Sequence, residues 1–127
     1  MAKDFTVTAI LGEEVRPELG NKHSILGIYT GDVLLPEFPA NIRLSFYIVF
    51  KFIRAGEHKI ELRILLDNKV ITSGVTELTS NEGDPAVLVS PSGILGVDSP
   101  SELKIDASVD GGRRTTLVKK QIRLAVL

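Results

Sequence analysis

The sequence contains no cysteine. Disulfide staples, a thiolate nucleophile and cysteine-ligated zinc are therefore excluded, and the chain suits a reducing compartment. It also lacks a dominant charge, with 15 Lys and Arg against 16 Asp and Glu. So balanced a chain has no bulk field to gather nucleic acid or an anionic membrane. No apolar run approaches the roughly 20 residues of a membrane-spanning helix. The amino terminus lacks a long apolar stretch followed by a small-residue cleavage site, and no Asn-x-Ser/Thr acceptor occurs. A cytoplasmic protein is the expectation. Helical patterning is missing too, because no long segment shows the roughly 3.6-residue apolar period with caps.

What the sequence has is alternation. In Asn41 to Ile53, the residues Ile42, Leu44, Ile48, Phe46, Phe50 and Phe52 all fall on even positions, the period of a strand, here long and central. Ile60, Leu62, Ile64 and Leu66 then alternate with charged residues up to Asp67 and Asn68. That pattern predicts a β-hairpin with Ile71 opposite Ile64 or Leu66. A closing hairpin follows from Leu103, Ile105, Ala107 and Val109, a turn at Asp110 to Gly112, and Val118, Ile122, Leu124 and Val126 returning. Lys120 interrupts this last face, as a bulge or charged edge would.

Phe5 to Leu11 reads as a first strand, and Lys22 to Tyr29 as another. Glu13 to Gly20 could make a helical turn, but Pro17 and Gly20 leave no room for a stable helix. Short runs at Ala86 to Val89 and Gly93 to Val97 lie among turn residues. One domain over residues 1–127 accounts for the whole chain. The fold class is all-β: an antiparallel β-sandwich, immunoglobulin-like or C2-like, of about seven or eight strands.

Gly20, Lys22 and Ser24 raise the question of a phosphate cradle, but His23 splits Lys22 from Ser24 and a β-rich run follows instead of a helix. Gly20 and Asn21 read as a turn. His23 and His58 have no second ligand at metal spacing and read as surface residues. No nucleophile elbow is present, so no catalytic residue is assigned and the protein is expected not to be an enzyme. Tyr47, between Arg43 and Lys51, is the sole trace of a nucleic-acid stacking platform. No cofactor and no small-molecule substrate is indicated.

Two patterns bear on binding. The acidic residues Asp32, Glu82, Asp84 and Asp98 lie in loops that could collect oxygen ligands for Ca²⁺ or a polar sugar, although singly spaced carboxylates are also ordinary turn residues. Val33, Leu34, Leu35 and Phe38 lie in a segment where Pro36 and Pro39 remove ladder donors, which places it on an edge. They either close the end of the sandwich or meet a protein partner or a second copy. The leading expectation is a non-enzymatic interaction or structural module; the alternative is a ligand-binding module using the acidic loops.

The stretch from Gly20 to Phe50 resembles a family of short bacterial proteins of unknown function. The likeness lies in the hairpin Gly20, Lys22, Ser24, Ile25, Gly27, Ile28 and Tyr29, the acidic turn at Asp32, the Leu35-Pro36-Glu37-Phe38-Pro39 edge and the alternating strand after it. It covers roughly the first half of the chain and implies a small bacterial β-sandwich, with no catalytic residues to transfer.

Overall fold

The alternating segments become eleven strands. The structure, a computed structural model, describes residues 5–52, 54–81, 84–90 and 92–126. In chain order the strands are β1 (Phe5–Gly12), β2 (Glu14–Glu18), β3 (Lys22–Leu26), β4 (Val33–Leu35), β5 (Ala40–Phe52), β6 (Gly56–Leu66), β7 (Lys69–Ser80), β8 (Ala86–Val89), β9 (Gly93–Val97), β10 (Ser101–Val109) and β11 (Thr115–Leu124). This exceeds the expected seven or eight. One addition is β2, from the segment open to a helical turn, which pairs with β3 and sets Pro17 opposite His23. Proline is tolerated there because the ladder has a single neighbour. Gly20 (φ 87°) and Asn21 (φ 58°) make the turn between them.

β5 is the axis of the first sheet. Its even-numbered residues face inward, as the alternation required, and Ile53 lies outside the described residues. β1 runs antiparallel along one side, from Phe5 opposite Phe52 to Gly12 opposite Ser45. The other side is shared by β9, along Ala40 to Leu44, and β8, along Tyr47 to Phe50. The second sheet has the order β4-β11-β10-β6-β7. Every pairing is antiparallel except β4 with β11, which is parallel. β4 is the link towards β5, and it joins the edge of the otherwise antiparallel second sheet in passing.

The two sheets pack through one apolar cluster, as in a single β-sandwich. Ile42, Ile48 and Phe50 from β5 meet Ile60, Leu103, Ile105, Ala107 and Ile122 from the second sheet, all buried. Face-to-face packing follows because each sheet has one apolar face that only the other can cover.

The β6–β7 turn is Asp67 (φ 50°) and Asn68 (φ 63°), a left-handed pair suited to a tight hairpin. A register shift follows, between Ile64 and Leu65, so Ile71 has no direct partner instead of lying opposite Ile64 or Leu66. Leu65, on the outward positions between Val70 and Lys104, is nonetheless buried. In the last hairpin the bulge falls at Leu117, not at Lys120. Lys120 lies opposite Leu103, and its amine escapes the core by donating to the Gly31 carbonyl at 2.9 Å.

Candidate functional site

The residues singled out by sequence do not converge. β4 is indeed an edge, but Val33 is only 1% exposed and belongs to the core, while Leu35 and Phe38 pack against it. Val33 is thus not available to a partner, and of the four residues Leu34 alone is exposed. The other expectation, that the segment closes the sandwich against its core, fits the placement of Val33, Leu35 and Phe38. Among the acidic residues, Asp32 is spent on β11: it accepts from Arg123 Nε at 3.0 Å and from the Gln121 N–H at 3.3 Å. The Arg123 guanidinium, then the Gln121 N–H, hold its carboxyl below the usual range. Asp84 and Asp98 are exposed in separate loops, and Glu82 lies outside the described residues. Among the described residues no three His, Asp or Glu side chains group as metal ligands. Tyr47 is not an open stacking platform either, since the His23 ring lies 5.4 Å from it.

Two buried titratable groups lie outside the sequence expectations. His58, read as a surface residue, is 8% exposed and stacks flat on Phe52 at 3.8 Å. Its position two before Ile60 puts it on the inward face of β6, a signal present in the alternation. Nδ1 is 2.7 Å from Asp110 Oδ2 and Nε2 is 2.9 Å from the Arg54 carbonyl. Both nitrogens therefore meet oxygen acceptors, and neither is turned towards a substrate as a general base requires. Partial burial works against the Asp110 charge, but hydrogen bonds from His58 and the Lys59 N–H outweigh it and lower its carboxyl.

Asp106, 4% exposed on the outward face of β10, accepts a forked pair from Arg63 at 3.0 and 2.7 Å and a further bond from Arg114 at 3.2 Å. These hold its carboxyl low, Arg63 foremost, although desolvation opposes them. With its oxygens so occupied, Asp106 ties β6, β10 and the chain before β11 together. This is structural work, since planar two-point pairing fixes geometry.

One feature with room for another molecule is the long side of the sandwich formed by β7 and β9. Asp110 N–H donates to the Lys59 carbonyl at 2.8 Å, so the Lys59 backbone faces β10. Alternation then turns the backbone groups of Ile60, Leu62 and Ile64 towards β7, where they meet Thr76, Gly74 and Thr72. The intervening Ser73, Val75, Glu77 and Thr79 present their N–H and C=O groups outward. Among the described residues no strand pairs with that side.

Behind this edge the two sheets stand apart around a cleft of about 580 Å³. Leu44, Phe46 and Leu95 line it from one sheet and Leu62, Ile64 and Ile105 from the other, with Thr72 to Gly74 at the rim. The rim is small because Gly74 has no side chain, and a Cβ built there meets nothing within 4 Å. Ile94, on the opposite lip, is 74% exposed. The chemistry on offer is a free hydrogen-bonding backbone beside an apolar trough, which suits an extended chain with alternate apolar side chains.

No helix among the described residues is long and apolar enough to cross a membrane. No protein-family model matches the chain, and no curated protein matches it either.

Proposed function

We propose that this protein is a non-enzymatic interaction module, working in the cytoplasm, that binds an extended polypeptide segment along β7. The observation that carries the reading is the outward-facing backbone of Ser73, Val75, Glu77 and Thr79 set beside the apolar cleft of about 580 Å³. Added strands gain affinity from main-chain hydrogen bonds and specificity from pockets for alternate side chains. The edge also carries few of the devices that block pairing: it is twelve residues long, has no proline, and holds charges only at Lys69 and Glu77. The docking surface is thus β7 and the cleft, in place of the Leu34 to Phe38 segment.

A fluorescein-labelled peptide of about ten residues, alternating leucine with threonine or lysine, tests the reading by fluorescence anisotropy. The wild-type protein is expected to bind it. Gly74→Leu, which projects a side chain into the cleft mouth, should weaken binding about tenfold or more without lowering the melting temperature, since glycine inside a strand is itself destabilising. Failure of the wild type to bind at concentrations where it is monomeric, or equal binding by both proteins there, overturns the proposal.

A further inference from the structure

We infer that the natural occupant of the β7 edge is a second copy of this chain, paired antiparallel about a two-fold axis at Val75. The inference rests on the reading of β7 as a docking edge and names the partner. An antiparallel pair of identical strands is closed by one two-fold axis, and such isologous dimers are the commonest assembly. A net charge of −1 leaves little repulsion between copies.

The charges select the register. On the outward face, Lys59, Glu61 and Arg63 of β6 lie beside Glu77, Val75 and Ser73 of β7. With the axis at Val75, Ser73 meets the partner's Glu77, and the row across four strands reads Arg63, Ser73, the partner's Glu77, the partner's Lys59. Each Glu77 then lies between its own Lys59 and the partner's Ser73, with the partner's Arg63 one strand further along the row, and the central row sets Val75, 62% exposed in the single chain, against the partner's Val75. A cross-strand apolar pair of this kind favours pairing, and no like charges face each other across the seam. Ser73, Val75 and Glu77 all turn their backbone groups outward, so three residue pairs exchange hydrogen bonds.

Three other axes are less favourable. An axis at Glu77 sets two carboxylates face to face. One at Thr76 brings the partner's Glu77 into the row of Glu61, and one at Ser73 runs Val75 against the bulged Ile71.

Analytical ultracentrifugation of three proteins tests this. The wild type should sediment as a dimer over a micromolar to millimolar series. Val75→Lys and Val75→Glu each oppose two like charges at the axis and should raise the dimer dissociation constant about 100-fold or more. An equimolar mixture of the two variants should recover the dimer, because each lysine then meets a glutamate. Melting curves establish that both variants fold, as expected at so exposed a position; if either does not, the Thr79→Lys and Glu77→Lys variants replace them, the first leaving the dimer intact and the second weakening it.

A monomeric wild type overturns the inference, as do dimers indifferent to Val75→Lys or a mixture no better than its components. If the wild type is monomeric yet binds the labelled peptide in a Gly74-dependent way, self-pairing fails while the docking edge stands. If it does neither, both fail.

Discussion

Asp106 illustrates how much a single polar residue can hold. It is nearly inaccessible yet ionised, because Arg63 grips both oxygens and Arg114 reaches one of them. Asp106→Asn leaves Arg63 without its counter-charge and should cost about 1–3 kcal/mol at neutral pH. The folded carboxyl sits below its unfolded value of about 3.9. Its contribution is therefore present above that pH and is lost as pH falls through the lower, folded value. Urea midpoints of wild type and Asp106→Asn from pH 7 to 2 should converge below about pH 4; parallel curves would refute the ion pair's role. At Val33 and Leu34 the same measurement separates core from surface. Val33→Ala should cost roughly 2 kcal/mol and Leu34→Ala no more than about 0.5 kcal/mol. Alternation alone did not tell these neighbours apart, because three residues are too few to define a face.

At the scale of the element, β5 and β7 show opposite fates of one pattern. β5 has strands along both sides and its even residues are buried. β7 belongs to a long hairpin with one bulge but is the last strand of its sheet, and nearly all its residues are exposed. Amide exchange should record this residue by residue. Gly74 and Thr76, bonded to β6, should exchange slowly, whereas Ser73, Val75 and Glu77 should exchange fast in dilute solution and gain protection as concentration rises. Uniform protection along β7 in dilute solution would contradict an open edge. The hairpins, their turns and the inward faces of β5, β6 and β10 were readable in the sequence, since periodicity and left-handed turn residues are local properties. The bulges at Ile71 and Leu117 were not, for register is settled jointly by both strands of a pair.

Across the whole molecule, the two flanks of the sandwich are linked differently. β1 and β4–β11 end one flank, where Tyr29, Lys120 and Asp32 bind across to Leu11, Gly31, Gln121 and Arg123. The other flank, between β7 and β9, has a cleft instead of such links. By itself the sequence determined the all-β class, the central strand and the exclusion of disulfide and thiolate chemistry, because these depend on composition and on spacing within a few residues. Only the tertiary structure decided that β4 runs parallel to β11, that Val33 and His58 are buried, and that β7 ends its sheet with one side unpaired among the described residues. Those facts depend on which distant segments lie side by side, and alternation specifies a face for each strand without naming the strand that covers it.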